Sequence, residues 1–407
     1  MDESSRCEGI DVETKSLSLG FPPPHLLQKA AEGLQQATIH AMKLERSSDL
    51  MSYGPLEGER TYREELAKFL SKEYEDHVDS DSLFPTSGAS QGLYMLASQY
   101  FQAGDLVFVE ELSFFAAVEV LGRDLKLQVV SVPMDENGIK TTVLQKLVSE
   151  KLSTNKGKAG MTFRAMVYLI TIYHNPTGIC LSKDRCHEIV EIARKNDLLV
   201  VCDDVYHLLH LNGVVHPRLY SYDKWTDSVD GGHVVSNGTF SKIFAPGIRL
   251  GWIEGPRHVL NRLQQSGWSW SGGGQSHFMS GVIAAVLQLG LQYSLLKEAR
   301  ELYKRNADSV CEIFEDLLPS SIKFIKPEGG FFVWLQLPEP LCAADLLEIC
   351  RKEDVSFCPG EVFSVERLHR NCLRICYSNL THNEVMEDVK KLVRCLQTVV
   401  PVKTPSC

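Results

Sequence analysis

Ser236-Asn-Gly-Thr-Phe-Ser-Lys-Ile-Phe-Ala-Pro-Gly-Ile-Arg-Leu-Gly-Trp252 decides how this chain is read. Val234-Val235 before it and Arg249-Leu-Gly-Trp-Ile253 at its end have the apolar character of short buried strands, so the polar middle is expected to be a loop held between two walls. Lys242 stands at the centre of that loop, flanked by hydroxyls at Thr239 and Ser241 and followed by Arg249. A lysine taken at random is a solvated surface side chain. In this setting it suits an amine that forms a Schiff base with an aldehyde next to a bound anion.

A second stretch supplies the anion site. Phe84-Pro-Thr-Ser-Gly-Ala-Ser-Gln-Gly92 precedes Leu93, Leu96, Ala97, Tyr100 and Phe101, which follow helical spacing. Free N–H groups at Gly88, Ala89 and Ser90, the Ser90 hydroxyl and the positive end of the helix dipole make a phosphate cradle that needs no cation. A small-residue turn at this position is also an ordinary cap.

From Leu106 the pattern alternates: strand Leu106–Val109, helix Phe115–Leu121, strand Gln128–Val132, helix Thr142–Lys151, strand Met166–Ile172. Such alternation predicts an α/β fold with a mainly parallel sheet. His174-Asn-Pro-Thr-Gly178 then lies at the carboxyl end of a strand, where open α/β sheets place ligands, and the Asn175 amide can donate to a phenolate oxygen. Leu198-Leu-Val-Val-Cys-Asp-Asp-Val-Tyr206 is a buried strand running into two acids, so a cation is expected beside Asp203, while Asp204 reads as a helix cap. Arg374, in the strand Leu373–Ser378, needs an anion for the same reason.

The remaining segments frame these. Ser16–Gly20 alternates like a short strand before Phe21-Pro-Pro-Pro24 breaks it. Tyr53 falls in an exposed loop ahead of a helix over about Glu59 to Lys72. Lys151–Gly160 is a polar surface excursion. Ser276 to Leu317 is expected to be helical with a break, and Lys326–Leu335 a turn leading into a strand. His207 and His210 have helical spacing but no third ligand nearby, so no metal is expected.

With 407 residues, two packed domains of unequal size are the natural expectation. Forty-two basic against fifty-two acidic residues give a formal charge of -10 without long runs of one sign, which argues against a nucleic-acid binder. The run Phe278–Leu295 carries Gln288 and Gln292 and falls short of the roughly 20 apolar residues of a membrane span, so it reads as a buried helix. Most of the twelve cysteines sit inside apolar patterns and the N-terminus is acidic, so a cytoplasmic protein with reduced thiols is expected.

Taken in order, these segments resemble the fold-type I pyridoxal-phosphate enzymes, the aspartate-aminotransferase superfamily, in the branch carrying Ser-Lys-x-x-Ala-Pro-Gly-x-Arg-x-Gly-Trp. The resemblance runs from about Gly20 to Asn379. It implies a three-layer α/β sandwich over residues 46–290 and a smaller α+β domain over 291–407, to which an arm, 1–45, also contributes. It implies pyridoxal 5'-phosphate as cofactor, with Lys242 as covalent anchor and proton shuttle, Asp203 on the ring nitrogen, and Asn175 and Tyr206 on the 3-oxygen. Phe114 would stack on the ring, although Leu112 stands where relatives carry proline. Gly88, Ala89, Ser90, Ser241 and Arg249 would hold the phosphate, with Ala89 able to offer only its backbone. Tyr53 would reach the phosphate of a neighbouring subunit in a homodimer. Arg374 would grip the substrate carboxylate, with Asn175, Gly20 and Phe21 as further contacts. The glycine run in Trp268–Gln275 departs from the commoner pattern. The implied reaction is ping-pong transfer of an amino group between an L-amino acid and a 2-oxo acid. A β-lyase using the same residues and a ligand-sensing module are the rival readings.

Overall fold

In the computed structural model, which describes residues 17–43, 47–154, 162–223, 231–272 and 275–400, the expected alternation becomes a seven-stranded sheet. Its strands are β1 (Leu83–Thr86), β2 (Leu106–Glu110), β3 (Gln128–Val132), β6 (Ala165–Leu169), β7 (Leu198–Asp203), β8 (Val234–Thr239) and β9 (Gly251–Glu254), with a short hairpin, β4 (Met134–Asp135) and β5 (Gly138–Ile139), beside it. The order is β1-β9-β8-β7-β6-β2-β3. Every pairing from β8 to β3 is parallel, and β9 alone runs antiparallel to both its neighbours.

The pleat sorts side chains into two cores. Val107, Val109, Met166, Tyr168, Leu199 and Val201 point to one face, against Leu93 and Leu96 of the helix Ala89–Tyr100 and Leu260 and Leu263 of the helix Arg257–Gln264. Leu106, Phe108, Ala165, Val167, Leu198, Val200 and Cys202 point to the other, against Leu144 and Val148 of the helix Thr141–Thr154 and Ile189 and Ala193 of the helix Lys183–Asn196. A sheet covered on both faces gives three layers, and the carboxyl ends of its central strands remain for a site.

A second, four-stranded antiparallel sheet follows in the order β10 (Lys323–Phe324), β11 (Phe332–Gln336), β13 (Cys372–Cys376), β12 (Cys358–Pro359). Leu335, Leu373 and Ile375 bury against Val310 and Phe314 of the helix Leu291–Leu317, Leu346 of Ala343–Arg351, and Val389 and Leu392 of His382–Val399. The two parts are stitched beside the site, where Leu112 bridges Ser364, Ser113 N donates to Phe363 O at 2.9 Å, and Val365 N donates to Glu111 O at 3.2 Å.

Three local expectations change. The strand before Lys242 continues through Ser236, Asn237, Gly238 and Thr239, all buried, because the polar side chains find partners inside and Gly238 leaves room for the Trp252 ring, which a Cβ would meet at 2.2 Å. Arg249 is outside the following strand, in a left-handed conformation with φ of 49°. Leu17 to Gly20 form a turn and an open segment in place of a strand, with Leu17 O accepting from Cys376 N at 2.7 Å.

The anticipated break in the 276–317 helix falls at Leu289–Gly290, where Gly290 has φ of 72° and the two helices bend by 76°. The run Phe278–Leu295 is thus split between two helices, and no single helix among the described residues is long and apolar enough to cross a membrane. The helix from Thr141 extends to Thr154, so residues 155–160 of the polar excursion lie outside the described residues, as do 1–16, Gly273 and Gly274.

Candidate active site

A cavity of about 320 Å³ opens at the carboxyl ends of β7 and β8 and reaches the small sheet. Lys242 enters it from the turn after β8, and its Nζ donates to Gly20 O at 2.7 Å. Burial lowers its ammonium to about 8, and the Arg374 cation pushes in the same direction while Asp203 opposes it.

Asp203 ends β7 and is buried. Its Oδ2 accepts from Tyr168 Oη at 2.5 Å, while Oδ1 is buried without a partner. Burial raises its carboxyl to about 7, against the favourable hydrogen bond from Tyr168. The neighbouring acid is of another kind. Asp204 accepts from Thr171 Oγ1 at 3.0 Å and Ser236 Oγ at 2.5 Å, so it ties the end of β7 to the segment after β6 and to β8, and is not a helix cap.

At one end of the cavity Gly88, with φ of 89°, caps the helix Ala89–Tyr100. A Cβ at Gly88 would stand 2.7 Å from Arg249 Nη2, so glycine lets the guanidinium lie against the helix terminus. Arg249 donates to Ser87 O at 3.2 Å and Ser241 Oγ at 3.4 Å, and Asn237 Nδ2 fixes the first helical turn through Ala89 O at 2.9 Å. First-turn amides without intrahelical acceptors, a hydroxyl and an arginine converge there as an anion site.

At the other end Arg374 of β13 is 4% exposed. It donates to Asn175 Oδ1 at 2.8 Å and to Ser18 O, and its Nε is buried and unpartnered. The guanidinium lies 4.0 Å from the Phe332 ring centre and 4.7 Å from that of Phe363. No acidic side chain pairs with it among the described residues, which leaves a buried cation able to take an incoming anion.

The family described as aminotransferase class I and II matches residues 16–392. The chain belongs to that family. The aromatic-amino-acid aminotransferase 1 of Thermococcus litoralis is 28% identical, the alignment covering 95% of this chain and 89% of that one. The 2-aminoadipate transaminase of Thermus thermophilus is 25% identical over 94% of this chain and 90% of its own. Among solved structures, the kynurenine aminotransferase of Pyrococcus horikoshii superposes with a TM-score of 0.82 at 28% identity, covering 94% of this chain and 90% of that one.

Of the residues expected to form this aminotransferase's site, Lys242, Asp203, Tyr206, Asn175, Phe114, Ala89, Ser90, Ser241, Arg249, Gly20 and Arg374 line the one cavity. Gly88 sits behind it as the helix cap. Phe21 is not in the wall, and its carbonyl accepts from Ser378 Oγ at 3.1 Å. Tyr53 is 81% exposed at a second depression, shared with Leu50, His277 and Gln288, away from Lys242.

Several contributors went unread in the sequence. Leu19, Phe115 and Cys358 join the wall, Tyr168 and Asn237 brace Asp203 and the helix cap, and Glu110 accepts from Ile170 N at 2.9 Å with His174 Nε2 3.3 Å away. Only Tyr168 carried a sequence signal, a phenol in an otherwise apolar strand. The pieces fit pyridoxal phosphate: an orphaned carboxylate oxygen for the ring nitrogen, a backbone-lined anion site for the phosphate, and an amine of lowered pKa between them.

Proposed function

We propose that the protein moves the amino group of an L-amino acid to a 2-oxo acid in two half-reactions, using pyridoxal 5'-phosphate in this cavity. The observation that carries the reading is Arg374, a buried guanidinium without an acid, in the same cavity as Lys242 and the orphaned oxygen of Asp203. When bound, pyridoxal phosphate supplies the conjugated ring that takes up electrons from the substrate α-carbon.

Each residue has a task that its setting supports. Arg374 binds the α-carboxylate as a fork, kept in place by Asn175 and the two phenyl rings. Lys242, whose pKa burial lowers to about 8, has a larger unprotonated fraction near neutral pH than a solvated lysine and moves the proton at the α-carbon. Asp203 pairs with the ring nitrogen, and Tyr206 and Asn175 face the 3-oxygen side. Phe114 covers the ring. Gly88, Ala89, Ser90, Ser241 and Arg249 hold the phosphate.

Residues 46–290 form the cofactor-binding unit and 291–407, with the arm 1–45, the smaller one. Two copies associate, the exposed Tyr53 of each turning toward the other's phosphate site. The described cysteines are free thiols, in keeping with a cytoplasmic setting.

The test is the visible spectrum of the purified protein and of Lys242→Ala after adding pyridoxal phosphate, followed by a pool of amino acids. A visible band that requires Lys242 and bleaches with stoichiometric release of a 2-oxo acid is expected. A colourless wild type, or ammonia released in place of a transferred amino group, would overturn the reading.

A further inference from the structure

We propose that Tyr168 is a positioning residue for the reaction: its hydroxyl immobilises one oxygen of Asp203 so that the other, Oδ1, alone is presented to the cofactor ring nitrogen. The inference rests on the cofactor reading above and deepens it.

The strand pairing makes the contact. Tyr168 of β6 is in register with Val201 of β7, two residues before Asp203, and Tyr168, Val201 and Val109 all point to the same face of the sheet. A side chain at position 168 must therefore reach one pleat toward the carboxyl end to meet Asp203, a span that the length of a phenol covers. Tyr168 is fully buried among the apolar side chains beneath the helix Ala89–Tyr100, so its ring is fixed by packing and its hydroxyl has no competing water contact. The resulting bond is 2.5 Å, and the remaining oxygen of Asp203 has no partner of its own.

The charged and titratable surroundings are few. Asp204 adjoins Asp203 on β7, Lys242 faces it from the turn after β8, and Tyr206 follows it in the chain. Glu110 of β2 acts on Tyr168 and has His174 against it, while Arg374 of β13 acts on Tyr206. Burial and Asp204 favour the neutral acid, and Tyr168 and Lys242 favour the carboxylate. Before the cofactor arrives, the Tyr168 phenol is thus the hydrogen-bond donor that holds Asp203 in the form a protonated ring nitrogen requires.

The experiment measures the affinity of the cofactor-free protein for 4'-deoxypyridoxine 5'-phosphate, which lacks the aldehyde and so binds without a covalent bond to Lys242. Wild type, Tyr168→Phe, Asp203→Asn and the double variant are titrated across pH. Tyr168→Phe is expected to bind about tenfold more weakly near neutral pH, with the acidic inflection of the binding curve moved up by about one pH unit. In the Asp203→Asn background the same substitution should change nothing further.

Weaker binding with an unmoved inflection, or an equal loss in the Asp203→Asn background, overturns the inference while leaving the cofactor reading intact. A wild type that does not bind the analogue sinks the cofactor reading, and this inference with it. Should the phenylalanine variant fail to fold, 3-fluorotyrosine at position 168 keeps the shape and makes the hydroxyl a stronger donor. The inflection must then move down, and no movement counts against the proposal.

Discussion

The two ends of the cavity, where the proposal places a phosphate and a carboxylate, are built by opposite means. The phosphate end is made of backbone: a helix terminus, a glycine with positive φ, and an exposed arginine lying across them. The carboxylate end is made of side chains, a buried guanidinium between two phenyl rings with one asparagine, one carbonyl and the Cys358 thiol as hydrogen-bond partners. The first can hold its ligand through a whole catalytic cycle because its donors are fixed in the main chain. In the proposed reaction the second would release one acid and accept another, which suits a cation whose hydrogen bonds among the described residues are to neutral acceptors.

The contrast is broken most severely by Arg374→Lys, which keeps the charge and loses the fork. An expected cost of about 4 kcal/mol lowers kcat/KM for amino acids by about a thousandfold, while the affinity for pyridoxal phosphate is unchanged. Steady-state kinetics alongside a cofactor titration separates the two. A parallel fall in cofactor affinity would mean that the ends are not independent.

Asp203 lies between the ends and responds to pH. In the cofactor-free protein its carboxyl is raised by burial to about 7, above its unfolded value near 3.9. Its contribution is therefore fully present below the unfolded value and is lost as pH climbs through 7. Asp203→Asn should raise the thermal stability of the cofactor-free protein at pH 8, by at most about 4 kcal/mol, with no gain at pH 4. Saturating cofactor should abolish the advantage. Thermal unfolding at both pH values, with and without pyridoxal phosphate, checks all three arms.

Gly88→Ala attacks the backbone-built end. Its φ of 89° and the 2.7 Å approach of Arg249 to a new Cβ should cost roughly 1–3 kcal/mol. This appears as a weakening of cofactor affinity by about ten- to a hundredfold, with KM for the amino acid unaffected once the cofactor is saturating. The smallest effect belongs to Phe363→Leu. Removing one ring from the Arg374 sandwich should raise KM for amino acids a few-fold, from about 1 kcal/mol of lost cation–π attraction, and leave cofactor binding alone.

The same contrast explains what could be read in advance. The phosphate end was legible because backbone sites leave a local signature: small residues, then helical spacing, within Thr86–Gly92. Asp203 and Arg374 were legible as charges in strands too apolar to tolerate them. Their partners were not assignable, since Tyr168 and Phe363 lie far from Asp203 and Arg374 in the chain, and even the phenol that marks Tyr168 in its apolar strand does not say which group it meets. Asp204 shows the limit of local logic. An acid after a strand resembles a cap, and only the arrival of Thr171 from beyond β6 and of Ser236 from β8 makes it a buried tie. The polar run Ser236–Thr239 looked like a loop because its partners, Asp204 and Ala89 among them, are elsewhere in the chain. The alternating layers, by contrast, followed from short apolar runs alternating with helical spacing, a pattern that needs no tertiary knowledge.

The hydrogen bond from Lys242 to Gly20 O spans 222 positions of chain, and its consequence is one of communication. If Lys242 were engaged with an aldehyde it would give up this bond, and the segment would then remain held to the small sheet, through Ser18 O to Arg374, Leu17 O to Cys376 N and Phe21 O to Ser378 Oγ. Occupancy at Lys242 would thereby be felt at Gly20, in a part of the chain far from it in sequence.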